Sequence, residues 1–373
     1  MALEVAVIGA GPAGLATAAM LGRQGVKATV IERADDLAAS WRTHYDRLHL
    51  HTVRWLSHLP GYRIPRREGR WVSRDGVVRY LESYARHHRL DIRTGVTADR
   101  VERDGNEWFV RSAQGDVDAG AVVVATGYNH TPMLPDWPGG FTGELLHAKS
   151  YRNGSPYRGK DVLVVGPGNT GAEIGVDLTE HGARRVRLAV RRPPYILPRA
   201  PMGIPAQLTG VLVRRVPTAV ADLLAEPVRK LSVPDLREYG LPDPGKGLYT
   251  RARRGEIPVL DVGLVDAIRT RKVEPVAAVT ALDGASVRLA DGSAIQPDAV
   301  IVAAGYQRGL EPLVGHLGVL DAAGVPRTHG GRTLGAAPGL YFIGYTNPPS
   351  GMFREIAIDA RRIAAAVATK GTR

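Results

Sequence analysis

The sequence predicts an α/β protein with two Rossmann-like dinucleotide-binding domains, the first interrupted by insertion of the second. Three observations predict it. An apolar strand, a G-x-G-x-x-G turn and a helical stretch occur twice, the turns opening at Gly9 and Gly166, 157 residues apart. Other short apolar runs end in glycine, which suits the buried strands of a parallel sheet. The 373 residues suffice for two or three domains at roughly 100 to 200 residues each.

Taken in order, Val5–Ile8 is the first strand and Gly9-Ala10-Gly11-Pro12-Ala13-Gly14 the first turn; a helix over Leu15–Gln24 stops at Gly25, where a helix C-terminus favours glycine. The next strand, Val26–Ile31, ends at Glu32. Ala121–Ala125 forms a buried strand before Thr126-Gly127, and Gly115-Asp116 ahead of it is a hairpin signal. The second unit repeats the first with Val162–Val165, the turn Gly166-Pro167-Gly168-Asn169-Thr170-Gly171, a helix over Ala172–His181, Gly182, and a strand Arg185–Val190. Tyr195–Arg254 is rich in proline, contains a helix-like stretch Val216–Leu231, and reads as an insertion. Later come a hairpin signal at Asp291-Gly292, strands Ala299–Ala304 before Gly305 and Leu340–Ile343 before Gly344, and an amphipathic closing helix Glu355–Thr369. The expected boundaries are 1–155 and 281–373 for the outer domain and 156–280 for the inserted one, with its helical insertion at about 195–254. The return at 281 rests on the likeness of Ala299–Gly305 to Val122–Gly127.

Composition narrows the chemistry. There is no cysteine, which removes disulfides, thiolate metal sites, CxxC redox pairs and cysteine nucleophiles, so redox chemistry must come from a cofactor. The 49 basic and 37 acidic residues leave a net charge of +12, yet the arginines are scattered in short, interrupted clusters, and no nucleic-acid partner is expected. No secretory signal precedes the first strand and no apolar run approaches the ~18 residues of a spanning helix. The expectation is a cytoplasmic protein without stable membrane insertion; a homodimer is left open.

Each glycine turn suits a pyrophosphate, which needs the free N–H groups and positive dipole end of a helix N-terminus. Gly9 and Gly166 permit the tight turn, Gly11 and Gly168 let phosphate approach the backbone, and Gly14 and Gly171 allow close packing of helix on strand. Pro12 and Ala13, and Asn169 and Thr170, complete the two turns. Glu32, eighteen residues after Gly14, stands where a carboxylate accepts from ribose hydroxyls, with Arg33 beside it. The second unit ends instead in Arg191-Arg192, which would pair with a 2′-phosphate and so favour NADPH over NADH; the alternative reading is solvated surface charge. A nicotinamide and a flavin on one chain make a hydride relay, so the first turn is assigned FAD and the second NADPH. Ala125, Gly127 and Gly344, at strand ends, are expected to pass close to the FAD.

The chain resembles the flavin-containing (class B) monooxygenases. Phe141-Thr142-Gly143-Glu144-Leu145-Leu146-His147-Ala148-Lys149-Ser150-Tyr151-Arg152 fits the family signature F-x-G-x-x-x-H-x-x-x-Y-[K/R], and a Baeyer–Villiger signature would place tryptophan at Tyr151. Similarity to the plant indole-3-pyruvate, auxin-forming type lies in Tyr45–His51, Ala125–Tyr128, Ile196–Arg199 and Pro258–Gly263. The resemblance implies an NADPH- and FAD-dependent monooxygenase that takes one atom of O2 to a small organic substrate through a C4a-hydroperoxide kept dry by the protein. It also implies that Trp41 and His49 lie near the flavin, Val101 near the adenine, and His147 in the linker between domains, coupling nicotinamide binding to domain position.

Many N- and S-oxygenating members carry an asparagine near Leu48–His51 that this chain lacks, so no essential acid or base is named; the catalytic candidates are His49, His51 and Asn347. Ordinary hydrogen-bonded histidines are the other reading for His49 and His51, and a loop residue for Asn347. No metal site is expected. The residues leave two further functions open: an NADPH-dependent flavin reductase or oxidase without oxygen transfer, and a nucleotide-sensing flavoprotein.

Overall fold

The computed structural model describes residues 4–213, 216–253 and 255–371. Strand β1 (Glu4–Ile8) leads through α1 (Pro12–Arg23) to β2 (Lys27–Ile31); α2 (Arg74–His88), β3 (Asp91–Arg93) and β4 (Ala121–Val124) follow. Then β5 (Glu144–His147), β6 (Asp161–Val165), α3 (Asn169–Glu180) and β7 (Arg185–Val190) precede α4 (Ala206–Leu212) and α5 (Thr218–Ser232). The chain closes with β8 (Val273–Ala277), β9 (Ala299–Val302), β10 (Leu340–Phe342) and α6 (Met352–Gly371).

Contacts divide the chain into two units. The first comprises residues 4–42, 52–131 and 306–371, and the second residues 43–51 and 132–305, apart from those outside the description. The first unit holds a parallel five-stranded sheet in the order β10-β4-β1-β2-β3. The central strands are continuous apolar runs because both faces are covered; Val5, Val7, Val122, Val123 and Val124 are fully buried. The α1 helix starts with proline in its first turn, a position that needs no N–H donor, and packs against α6. An antiparallel sheet of Arg100–Asp104, Glu107–Arg111 and Val117–Ala119 accounts for the hairpin signal at Gly115-Asp116.

The second unit holds the same architecture, with a parallel sheet ordered β5-β9-β6-β7-β8. Its antiparallel accessory includes Ser286–Leu289 and Ala294–Ile295, joined through Asp291-Gly292. The helix-like stretch expected at 216–231 is α5, while Arg214, Arg215 and Arg254 of the same insertion lie outside the described residues.

One boundary moves. The strand used to mark the return at 281, β9, pairs with β5 and β6 of the second sheet, and the first unit resumes at Tyr306. The likeness of Ala299–Gly305 to Val122–Gly127 is real but has another cause. Strand β9 flanks β6 as β4 flanks β1, so the same position in two copies of one fold selects the same residues.

Candidate functional site

The first turn is shaped by backbone proximity. Gly9 has a φ of +110°, and a Cβ there would meet the Ala125 carbonyl oxygen at 2.6 Å; a Cβ on Gly14 would lie 1.9 Å from the Gly9 oxygen. A Cβ on Gly11 would meet nothing within 4 Å, which is the open approach a phosphate requires beside a helix N-terminus. At the neighbouring strand end, a Cβ on Gly344 would come within 3.2 Å of Ala13. Thus Gly9, Ala13, Gly14, Ala125 and Gly344 lie together around the first turn.

Glu32 is half-buried, and its carboxylate accepts from the Ala10 N–H at 2.8 Å and the Ala34 N–H at 3.1 Å. It therefore braces the turn and keeps acceptor capacity, since a carboxylate has about four lone-pair sites. Arg33 is exposed. Trp41 lies one helical turn past Ala38, whose N–H donates to the Ala10 carbonyl, and its ring meets Phe353 edge-on at 5.9 Å. Val101 is fully buried in the apolar cluster that contains Ile31 and Val124. Gly127, with a φ of +97°, follows Thr126, whose N–H donates to the Tyr345 hydroxyl at 3.1 Å. Tyr345 also meets the Thr126 hydroxyl at 2.8 Å, and its burial pushes the phenol up to about 12. This brace was not predicted. Asn347 is half-buried on the loop beyond Gly344, and Arg354 pairs with Glu355 at 2.7 Å.

The second turn reproduces the first. Gly166 has a φ of +110° with a Cβ position 2.6 Å from the Ala303 oxygen, Gly171 would clash with the Gly166 oxygen at 1.9 Å, and Gly168 faces open space. The Asn169 side chain donates to the Pro258 carbonyl at 3.0 Å and accepts from the Leu260 N–H at 2.8 Å, so its side-chain oxygen and nitrogen both serve backbone. Thr170 is half-buried, and Arg191 and Arg192 are exposed immediately after β7.

The F-x-G-x-x-x-H-x-x-x-Y-R motif is a set of braces within the second unit. A Cβ on Gly143 would lie 2.6 Å from the Phe141 ring and 3.0 Å from the Asp298 carbonyl oxygen, which leaves little room there for a side chain. His147, buried at the end of β5, donates from Nε2 to the Gly305 carbonyl at 3.2 Å and accepts at Nδ1 from the Lys149 N–H at 3.0 Å. Burial, and secondarily Lys149, hold it below the ordinary histidine value against the opposing pull of the Gly305 bond. The Tyr151 hydroxyl donates to Asp177 at 2.5 Å, and burial with that bond pushes the phenol far up.

His49 and His51 lie on residues 43–51, a short excursion that belongs to the second unit. His49 Nδ1 bonds the Arg47 carbonyl at 2.7 Å, His51 Nε2 pairs with the buried Glu173 on α3, and Arg199 donates to the Leu50 carbonyl. Glu173 and Asp177 had a signal in the sequence: two acids four apart inside an otherwise apolar helix must find partners. Their hydroxyl and imidazole partners, Tyr151 and His51, come from remote segments, and His181, four residues on, also lies 3.4 Å from Asp177.

The arrangement is thus two glycine turns of one geometry, each opening a helix. Residues 6–197 match the family model of the pyridine nucleotide-disulphide oxidoreductases, although this chain has no cysteine for the disulphide part of that name. Indole-3-pyruvate monooxygenase YUCCA1 of Oryza sativa subsp. japonica is 36% identical, covering 91% of this chain and 86% of the relative. YUCCA4 of the same plant is 32% identical over 91% of this chain and 82% of the relative. The chain belongs to the class B flavin monooxygenases. The solved flavin-containing monooxygenase from Stenotrophomonas maltophilia shares its fold at a TM-score of 0.72 and 23% identity, covering 97% of this chain and 98% of the other. This flavin-dependent monooxygenase therefore carries the family's fold over almost its whole length.

Proposed function

We propose that the first unit holds FAD, the second holds NADPH, and that the enzyme transfers one oxygen atom from O2 to a small organic acid. The observation that carries this is the pair of matching turns with opposite endings, an acid after β2 and two exposed arginines after β7. Gly11 and Gly168, where an added Cβ would meet no atom, fit a dinucleotide pyrophosphate at each turn. Glu32 would accept from ribose hydroxyls while still bracing Ala10, and Arg191 with Arg192 would meet a 2′-phosphate. Bound FAD supplies the redox chemistry that activates dioxygen. The braces at Thr126–Tyr345 hold a strand end beside the first turn, and rigid backbone there keeps the cofactor seat in register.

The curated relatives support an aryl 2-oxo acid as the first substrate to test, beginning with indole-3-pyruvate. Purified yellow protein given NADPH and isotopic dioxygen should consume the two in equal amounts and place one labelled atom in the organic product. Oxygen consumption that yields only hydrogen peroxide with every 2-oxo acid tried would replace this reading with an oxidase.

A further inference from the structure

A polar cluster in the first unit stands apart from the glycine turns, at the C-terminal end of β10. Its acid, Asp359 on α6, is buried, and a buried carboxylate must be paired. Two partners meet it, His329 Nδ1 at 3.0 Å and Arg362 at 3.1 Å. The loop that carries His329 is threaded between β10 and α6: the Gly330 N–H donates to the Phe342 carbonyl at 2.9 Å, and a Cβ on Gly330 would lie 2.8 Å from the Asp359 carboxylate. The other ring nitrogen of His329, Nε2, meets the Tyr345 N–H at 3.3 Å. A backbone N–H can only donate, so Nε2 accepts, Nδ1 carries the hydrogen that Asp359 accepts, and the imidazole that fits both partners is neutral. Tyr345 is thereby held at both ends. Its amide is fixed by His329 and its hydroxyl by Thr126, while Gly344 beside it faces Ala13 of the first turn.

We propose that His329 is a positioning residue for FAD: neutral, it fixes the Tyr345 amide and with it the strand end beside the first turn, and protonated it loosens that end and the cofactor with it. A proton on Nε2 would set donor against donor at Tyr345, whereas an imidazolium keeps its bond to Asp359, so it is the backbone N–H that gives way. The titratable and charged groups around the ring are Asp359 and Arg362 from α6 and Tyr345 from the strand end, whose phenol feels Arg308 in turn. This role rests on the assignment of FAD to the first unit.

The full-length holoenzyme is diluted at about pH 8 and at about pH 5.5, which bracket ordinary histidine titration, and the fluorescence of released flavin gives the FAD dissociation constant. Wild type should hold FAD about ten-fold more weakly at the lower pH, the size of one lost hydrogen bond, and His329→Ala should be weaker by about the same factor already at the higher pH. His329→Gln offers an amide oxygen to Tyr345 and an N–H to Asp359 without titrating, so it should recover most of the affinity that alanine loses and fall by less than about two-fold between the two pH values. An equal fall in His329→Gln and wild type, or no fall in wild type, overturns the proposal, and neither outcome depends on whether His329→Ala folds. Gly11→Val separates the two assignments. If it loses flavin while His329→Gln keeps the wild-type pH profile, the role of His329 alone is refuted; if it retains flavin, the assignment of FAD to the first unit falls and the role of His329 with it.

Discussion

Gly9 and Gly166 have the same φ of +110°, Gly14 and Gly171 lie equally close to a carbonyl oxygen, and Gly11 and Gly168 are equally free, yet the two turns are assigned different dinucleotides. The difference lies at one place, the end of the next strand, where Glu32 bonds two backbone amides and Arg191-Arg192 stand exposed. Backbone proximity makes the seat and is blind to a ligand's ribose; in the proposed reading, the side chains after the second strand choose it. The glycines within one turn are also unequal. Gly14 is needed for the fold itself, whereas a Cβ on Gly11 meets no protein atom, so in the proposed reading Gly11 matters only to a bound phosphate.

That separation gives the largest expected effect. Gly14→Val would push a Cβ into the Gly9 carbonyl and should destabilise the protein by more than about 4 kcal/mol, with Gly171→Val behaving alike in the second unit. An added Cβ on Gly11 meets no protein atom within 4 Å, so Gly11→Ala should keep the wild-type unfolding midpoint without flavin, and the bulkier Gly11→Val should lose flavin on gel filtration. A large drop in the flavin-free midpoint of Gly11→Ala would break the distinction.

Next come the strand ends. Arg191→Ala should raise KM for NADPH by about ten-fold or more and leave KM for NADH nearly unchanged, as expected for loss of a charge-assisted bond to the 2′-phosphate. Equal changes for both nucleotides would return Arg191 to ordinary surface charge. Glu32→Gln should weaken FAD binding by about ten-fold in a fluorescence titration, because the amide keeps one acceptor for Ala10 or Ala34 but loses the charge that favours ribose donors. Unaltered FAD affinity would leave Glu32 only the bracing role that the structure shows.

The same comparison explains what could be read from the sequence. Strand, turn and helix were legible in both units because apolar runs and glycines at fixed offsets follow from burial and close backbone approach, which are local demands. The assignment of Ala299–Val302 to the first sheet failed because two copies of one fold place the same demands on equivalent strands, and a pattern cannot say which copy it serves. The excursion of residues 43–51 into the second unit leaves no compositional mark; it is held by Arg47 to the Val262 carbonyl at 3.0 Å, His51 to Glu173 and burial of Tyr45, contacts between segments far apart in sequence. Nor does the turn pattern show that the Asn169 side chain bonds the Pro258 carbonyl and the Leu260 N–H, which lie 89 and 91 residues further along the chain.

The smallest effect concerns protons and again sets the units side by side. His147 in the second unit is held below its ordinary value of 6.5 chiefly by burial, and so are His58 and His88 in the first, with Arg54 next in importance at His58 and His87 at His88. A histidine with a depressed folded value takes up its proton in the unfolded chain first, so its neutral form is fully tolerated above 6.5 and stability is lost as pH falls below 6.5 towards the folded value. Each such group adds at most about 1.4 kcal/mol per pH unit to that slope. His147→Gln offers an amide N–H for the Gly305 carbonyl and an oxygen for the Lys149 N–H without titrating, so urea unfolding should show a shallower loss of stability below pH 6.5 than wild type. The remaining slope would belong to His58 and His88 and should report on the first unit. An unchanged slope in His147→Gln would mean that His147 gains its proton while still folded, and that the Gly305 bond outweighs burial.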